Sequence, residues 1–198
     1  MGRIKAVFAS GNAGKLRELR ALLPGWELEP IGEVEMPAET GATFYENAAA
    51  KAHFARSLDL SLWAIGEDSG LEVEGLGGAP GIFSARYAGA DASDEDNVAK
   101  LLEALEEAEG EARRARYVSE LVVLAPDGVE HRGTGTLAGS IGASPRGREG
   151  FGYDPVFVPE GETSTVAELG DGWKREHSHR AAATRDLLGR LGEPPEEM

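Results

Sequence analysis

The chain has 198 residues, of which 41% are hydrophobic, and this is enough for one sizeable buried core without a second independent domain. Its 35 acidic residues outnumber 20 basic ones, and the net charge of -15 argues against a surface that follows a nucleic-acid polymer or docks on anionic lipid. The absence of cysteine excludes disulfides, thiolate zinc sites and thiol nucleophiles, and it fits a cytoplasmic protein. Any phosphate ligand must therefore meet a locally positive site.

The N-terminal part of the sequence predicts a strand, a glycine-rich turn and two helices. The apolar run at residues 4–9 predicts a buried strand and is far shorter than the ~20 residues that a membrane span needs. After the turn at residues 10–14, leucines recur at helical spacing. A second helix is predicted to start at Thr43, where Glu46 completes a capping-box pair, and to end near Leu58.

The middle of the chain predicts one strand and one strong helix. Residues 60–65 have the apolar pattern of a buried strand and would place Glu67-Asp68-Ser69-Gly70 at its carboxyl end. Ser93 is followed by three acidic residues, a pattern typical of a helix start, and apolar residues then trace one helical face as far as Gly110.

The last third of the sequence predicts a hairpin with arms at residues 117–124 and 129–141, joined by the turn Pro126-Asp127-Gly128. A short strand is predicted at residues 156–158, and a final helix is predicted to begin after Ser178 as its cap. Strands that alternate with helices early and pair as a hairpin late indicate an α/β fold with a mixed sheet flanked by helices. We expect a single domain over residues 1–191 and a disordered tail at 192–198.

The turn between the first strand and the first helix is a candidate phosphate site, with the sequence Ser10-Gly11-Asn12-Ala13-Gly14-Lys15. Backbone N–H groups and the helix dipole can face an anion at such a turn. Lys15 and Arg17 stand near the first helical turn, where a bound phosphate would relieve their unfavourable interaction with the dipole. The run is not a Walker A loop because Leu16 follows Lys15, and a turn of purely steric origin is the alternative.

Glu67 and Asp68 are a candidate metal and catalytic pair. Magnesium takes carboxylate oxygens and keeps several waters, and a metal-bound water of lowered pKa can attack phosphorus. The alternative to a metal site is that Glu67 and Asp68 are solvated turn residues, because an acidic chain contains adjacent acids by chance.

Two further segments are candidates for contact with a base or a phosphate. The loop Phe151-Gly152-Tyr153-Asp154-Pro155 could stack a base, although aromatic side chains that reach back into the core are the alternative. The stretch from Lys174 to Arg180 is the most basic of the chain and could contact a phosphate or a base. The alternative is that its cationic side chains are simply exposed to solvent. A zinc site at His177 and His179 would lack an obvious third ligand.

Taken together, these segments resemble the inosine triphosphate pyrophosphatase family, the non-standard purine nucleoside triphosphate pyrophosphatases. The resemblance spans nearly the whole chain and is carried by several motifs in order: SGNAGKLREL, TGATFYENAAAKA, EDSGLEVEGLGGAPGIFSARYAG, GFGYDPVF and, near the end, SHR. It implies an elongated α/β fold with two lobes around a central cleft, commonly a homodimer, that releases pyrophosphate from ITP, dITP or XTP.

The resemblance also implies residue roles. Ser10 to Lys15 would hold the triphosphate, Asp68 would bind Mg2+ and act as the base that activates water, and Ser69 would contact the substrate. The residues that would bind and read the purine are Phe151, Gly152, Tyr153, Asp154, Lys174, His179 and Arg180. Cationic donors suit the 6-oxo group of hypoxanthine and xanthine and reject the 6-amino group of adenine.

One position departs from the family pattern. Many members have an acidic residue two places after the position of Met36, where this chain has Ala38. Glu39 follows and is the candidate second metal ligand, with Glu46 and Glu67 as alternatives. Three rival interpretations of the whole chain remain: a pyrophosphatase for another base, such as a modified pyrimidine or a methylated guanine, a nucleotide sensor that does not cut, and a structural module.

Overall fold

The computed structural model describes residues 3–191. Within them the chain forms six strands and five α-helices, with short 3-10 helices at Glu74–Leu76, Gly81–Arg86 and Gly110–Arg113. The elements in chain order are β1 (Ile4–Phe8), α1 (Ala13–Leu22), β2 (Trp26–Pro30), α2 (Phe44–Leu58), β3 (Trp63–Val73), α3 (Asp94–Ala104), β4 (Arg114–Leu124), β5 (Glu130–Ile141), β6 (Phe157–Pro159), α4 (Val166–His177) and α5 (His179–Leu191). In this part of the chain, no helix has both the length and the apolar character needed to cross a bilayer.

The strands pair in the order β2-β1-β3-β4-β5-β6. β1 runs parallel to β2 and to β3, whereas β6 runs antiparallel to β5. The link between β4 and β5 is too short for a parallel crossover, so these neighbours form the antiparallel hairpin predicted from the sequence. The sheet is therefore mixed and flanked by helices, which confirms the predicted fold class.

The strand predicted at residues 60–65 was wrong in its extent, because β3 covers Trp63–Val73. Glu67 and Asp68 do not follow the strand; they lie in the middle of β3, which continues to Val73. Acids and glycines usually end a strand, but here both carboxylates have cationic partners, so the ladder can continue through them.

The sequence also hides two elements. β2 is a five-residue strand that ends in proline, and its alternating pattern is too short to stand out. α4 contains Gly170 in a non-helical conformation, which interrupts the apolar periodicity, although Thr165 and Glu168 form a capping box at its start. The predicted disordered tail at 192–198 lies outside the described residues.

The described chain divides into two compact units. Unit 1 comprises residues 3–68, 119–135 and 180–191, and unit 2 comprises residues 69–118 and 136–179. Unit 1 has two clusters of buried apolar side chains, one of which includes Phe8, Ile65 and Leu187. Unit 2 has its own core, which includes Leu101 and Phe157. Each unit is thus built from separate stretches of sequence around its own apolar interior.

α2 packs closely on β3 through small residues. Ala48, Ala52 and Ala55 are buried on this helix. Gly66 of β3 faces the helix backbone so closely that an added Cβ would lie 2.0 Å from the carbonyl oxygen of Ala48. Only glycine fits at this position, and the close approach brings the polar residues of α2 to the adjacent acids of β3.

Candidate active site

The turn after β1 forms the N-terminus of α1, as the sequence predicts. Ser10 Oγ accepts a hydrogen bond from the Asn12 N–H at 3.1 Å, and Asn12 Oδ1 caps the helix by accepting from the Lys15 N–H at 3.0 Å. The first turn of α1 contains no acidic residue. The turn therefore offers backbone N–H groups and the positive end of a helix dipole to an anion.

Glu67 is the centre of a buried charge cluster in unit 1. Its Oε2 lies 2.7 Å from Lys15 Nζ, and its Oε1 accepts hydrogen bonds from Arg180 Nη2 at 2.9 Å and from Ser119 Oγ at 3.1 Å. Burial by itself would raise the pKa of Glu67, but the charges of Arg180 and Lys15 outweigh burial and hold the pKa well below its usual value. Glu67 is thus a carboxylate that anchors two cations.

Arg180 is held by two carboxylates. Its side chain is almost fully enclosed, and it pairs with Glu18 of α1 as well as with Glu67. Burial would lower the pKa of Arg180, but the two carboxylates raise it above its usual value. The guanidinium therefore carries a permanent charge in unit 1, and its predicted contact with the base edge stays a prediction.

Asp68 lies next to Glu67 and meets the polar side of α2. Its Oδ1 is 3.1 Å from Lys51 Nζ, and its Oδ2 accepts a hydrogen bond from Asn47 Nδ2 at 3.1 Å. Burial raises the pKa of Asp68 above its usual value, and the nearby Lys51 and Lys15 offset only part of that rise. A buried carboxylate with a raised pKa accepts a proton more readily than an exposed one.

The carboxylates around Lys51 are suited to a hard divalent cation. Lys51 Nζ pairs with both Asp68 and Glu39, so two carboxylates converge on one positive charge. Magnesium commonly binds to one or two carboxylates and completes its shell with waters and substrate phosphates. Among residues 3–191, no group of three or more His, Cys, Asp or Glu side chains is placed to hold a metal ion.

Asp154 organises the candidate base site in unit 2. Its Oδ2 accepts from Lys174 Nζ at 2.7 Å and from the Phe151 N–H at 3.0 Å, and its Oδ1 accepts from the Tyr117 hydroxyl at 3.2 Å. Lys174 Nζ also lies 4.7 Å from the centroid of the half-buried Phe151 ring. Asp154 and Lys174 are 3% and 4% exposed, so this ion pair is desolvated and its geometry is fixed.

The other predicted residues of this loop have different surroundings. Gly152 donates its N–H to Asp94 at the start of α3, at 2.7 Å. Tyr153 belongs to the core of unit 2, and its hydroxyl donates to the carbonyl oxygen of Ser84 at 2.8 Å. Tyr153 therefore shapes the loop from the core side. For this residue the alternative interpretation holds, in which an aromatic side chain of the loop reaches back into the core. Ser69 is half-buried on β3, directly after Asp68.

His179 begins α5 and is buried against an aromatic ring. Its imidazole stacks on the Tyr117 ring with centroids 4.5 Å apart and planes at 14°. His177, two residues earlier, is more exposed and lies beside Trp173 of α4 and Glu176. The two histidines thus have different environments, which is unlike a shared metal site.

Several polar residues of these clusters were missed by sequence reasoning: Glu18, Asn47, Lys51, Tyr117 and Ser119. Two of them had a signal, because Asn47 and Lys51 lie four residues apart at the spacing of the buried alanines of α2. A polar pair on the buried side of an amphipathic helix is costly unless it has partners, so it marks a site. The other three lie on elements with no comparable pattern.

Comparisons with known proteins agree with the predicted family. Residues 6–190 match the sequence model of the Ham1 family. A dITP/XTP pyrophosphatase of Bdellovibrio bacteriovorus is 46% identical over 189 residues, covering 92% of this chain and 95% of the relative. One of Thermus thermophilus is 45% identical over 201 residues, covering 98% and 96%. The solved structure of a HAM1 protein from Coxiella burnetii superposes with a TM-score of 0.84 at 39% identity, covering 95% of this chain and 98% of that one.

Proposed function

Because this chain belongs to the Ham1 family, we propose that it hydrolyses the non-standard purine nucleoside triphosphates ITP, dITP and XTP to the monophosphate and pyrophosphate. Relatives that cover nearly its full length are dITP/XTP pyrophosphatases. The structural observation that carries the proposal is the buried Asp68, whose pKa is raised and whose neighbours are the cations Lys51 and Lys15. Removal of such nucleotides keeps hypoxanthine and xanthine out of DNA and RNA.

The triphosphate binds at the N-terminus of α1. The backbone N–H groups of residues 10–14 and the helix dipole supply a positive site in a chain whose net charge is -15. Ser10 and Asn12 fix the shape of the turn through their hydrogen bonds. Lys15 adds a positive charge that stabilises the negative charge developing on the leaving pyrophosphate.

Asp68 and Glu39 would hold Mg2+, the cofactor of the proposed reaction. Bound magnesium would lower the pKa of a coordinated water and reduce the negative charge of the phosphates. Asp68 accepts a proton from the attacking water at a carboxylate oxygen, and Lys51 and Asn47 orient that carboxylate. Water attacks the α-phosphorus directly, and no covalent intermediate with the protein is needed.

Most of the residues that recognise the purine belong to unit 2. Phe151 stacks on the base, while Gly152, Tyr153 and Asp154 shape the loop. Lys174 and His179 offer donors to the 6-oxo group, and Arg180 is a further candidate donor. Adenine presents an amino donor at the same position, so a donor would face a donor and both would lose their hydrogen bonds.

We also propose that the protein acts as a cytoplasmic homodimer with no nucleic-acid polymer or membrane as a partner. The family resemblance supports the dimer, and the acidic, cysteine-free composition supports the other two points. Light scattering of the purified protein tests the dimer directly, because a mass near that of one 20.9 kDa chain would contradict it.

The deciding experiment is incubation with Mg2+ and, separately, ITP, dITP, XTP, ATP and GTP, with assays for pyrophosphate and orthophosphate. Pyrophosphate release with a kcat/KM far higher for the first three substrates than for ATP and GTP is the expected result. Orthophosphate release would mean a different phosphoanhydride cut. If none of the five gives release, a modified pyrimidine and a methylated guanine nucleotide are assayed next. Release from one of these alone would favour the other base specificity, and no release from them either would favour a sensor.

A further inference from the structure

Tyr117 has no assigned role, although it touches two of the residues proposed to read the base. It lies on β4 and is 7% exposed. Its ring packs on Phe157 with centroids 4.5 Å apart and planes at 36°, and it stacks on His179 at the same distance with planes at 14°. The imidazole of His179 is therefore nearly parallel to a ring that is itself fixed in the core of unit 2.

The Tyr117 hydroxyl is bonded to the second recognition group. It donates to Asp154 Oδ1 at 3.2 Å, while Asp154 Oδ2 accepts from Lys174 Nζ at 2.7 Å. The tyrosine thus bonds to one oxygen of the carboxylate, and the lysine bonds to the other together with the Phe151 N–H. Because the planar carboxylate can rotate, a donor on Oδ1 restricts where Oδ2 can lie and hence where Lys174 Nζ is held.

We propose that Tyr117 is a positioning residue that sets the selectivity of this enzyme for 6-oxopurines over 6-aminopurines, an inference that rests on the proposed function. The stacked ring fixes the plane of the His179 imidazole, and the hydroxyl fixes the Asp154 carboxylate that orients Lys174. Both donors then point in set directions. A misaligned donor would lose much of its preference for an oxo group, since hydrogen bonds weaken steeply as their angle departs from linearity.

A purely structural role would not require the hydroxyl. A phenylalanine ring would fill the same space between Phe157 and His179, whereas the hydroxyl is aimed at a carboxylate that is only 3% exposed. Buried hydroxyls are retained where they have a polar partner. The two halves of the side chain can therefore be tested separately, with Phe to remove the hydroxyl and Leu to remove the ring as well.

The test compares kcat/KM for ITP and for ATP in wild type, Tyr117→Phe and Tyr117→Leu. We expect the ITP-to-ATP ratio to fall about threefold in Tyr117→Phe, from loss of one hydrogen bond, and about tenfold in Tyr117→Leu, from additional loss of stacking. Tyr45→Phe is the matched control, because Tyr45 also donates its hydroxyl to a carboxylate, Glu130 Oε1 at 2.8 Å. It should keep the wild-type ratio.

The outcomes separate this inference from the proposed function. Wild-type protein that releases no pyrophosphate from ITP overturns both. Wild-type protein with the expected activity, but Tyr117 variants that lose ITP and ATP turnover in equal proportion, overturns only the positioning role and leaves a structural one. If thermal melting shows that Tyr117→Leu does not fold, the ratio in Tyr117→Phe decides, and an unchanged ratio there overturns the inference.

Discussion

Lys51 Nζ lies 3.1 Å from Asp68 Oδ1, and the same ammonium pairs with Glu39. Lys51 therefore favours the ionised form of Asp68, while burial favours the protonated form and is the larger effect. The pKa of Lys51 is raised in turn, because its two carboxylate partners outweigh the effect of burial. The proton affinity of the proposed base thus depends on one lysine of α2.

Replacement of Lys51 should shift the pH dependence of the reaction. As the proposed base, Asp68 would accept a proton only when it is ionised, so activity should fall as the pH drops through its pKa. Lys51→Met removes a charge that lowers this pKa, so the acid limb of kcat/KM should move to higher pH. A pH series with ITP measures the limb, and Lys5→Met, at an exposed lysine of β1, should leave it in place. An unmoved limb in Lys51→Met would point to another group as the base.

Removal of the Asp68 charge should separate binding from turnover. Asp68→Asn keeps the size of the side chain but cannot accept the proton, so kcat should fall by about 10²–10⁴-fold, the usual contribution of a general base. ITP binding by calorimetry should persist, because residues 10–15 are unchanged. Asp127→Asn, in the turn between β4 and β5, is the control. Normal turnover in Asp68→Asn would remove Asp68 from the mechanism.

Chelation should stop the reaction reversibly. Excess EDTA should abolish pyrophosphate release, and added Mg2+ should restore it. Glu39→Gln should increase the Mg2+ concentration required for half-maximal activity by about tenfold, equivalent to ~1.4 kcal/mol, because it removes one carboxylate charge near Asp68. Glu35→Gln, at an exposed position of the same loop, is the matched control. Equal Mg2+ requirements in the two variants would leave Glu46 or Glu67 as the second ligand.

Neutralisation of Lys174 should weaken recognition of the 6-oxo group. Lys174→Met should lower kcat/KM for ITP by roughly tenfold to hundredfold, since a hydrogen bond from a charged donor contributes ~1.5–3 kcal/mol, and ATP should be affected less. Lys100→Met is a close control, because Lys100 Nζ also lies 4.7 Å from an aromatic centroid, that of Tyr87. Equal losses for ITP and ATP in Lys174→Met would assign Lys174 to folding instead.

A methyl group at position 66 should destabilise unit 1. The Cβ of Gly66→Ala would lie 2.0 Å from the Ala48 carbonyl oxygen and 2.5 Å from the Ala52 nitrogen, so α2 must move away from β3. Overpacking of this kind costs ~1–3 kcal/mol, which corresponds to a Tm lower by roughly 2–12 °C. Gly25→Ala, where nothing lies within 4 Å of the added Cβ, should melt close to wild type. Equal Tm values would show that α2 can shift freely.

The sequence predicted the parts of the molecule that depend on local patterns. The apolar run of β1, the Thr43 cap of α2 and the acidic start of α3 were each readable because their chemistry lies within a few residues. The continuation of β3 through Glu67 and Asp68 was not readable, since it depends on cations distant in the chain, such as Arg180.

The candidate site shows the same division. Lys15 and Asp68 stand in recognisable motifs, whereas Lys51 and Tyr117 become meaningful only through partners that the fold brings to them. For Lys51 the spacing along α2 was a usable clue. For Tyr117, a tyrosine in an apolar strand looks like an ordinary core residue, and its bond to Asp154 spans 37 positions of sequence.

The arrangement of the two units along the chain sets an order for folding during synthesis. Unit 2 contains no residue beyond 179, whereas the core that surrounds Phe8 of β1 also needs Ala183 and Leu187 of α5. Because the chain leaves the ribosome N-terminus first, the core around β1 cannot be completed until α5 has been synthesised. The interior of unit 2 can form earlier, so unit 2, with most of the residues proposed to read the purine, should be the first to become protease-resistant in a nascent chain, and unit 1 the last.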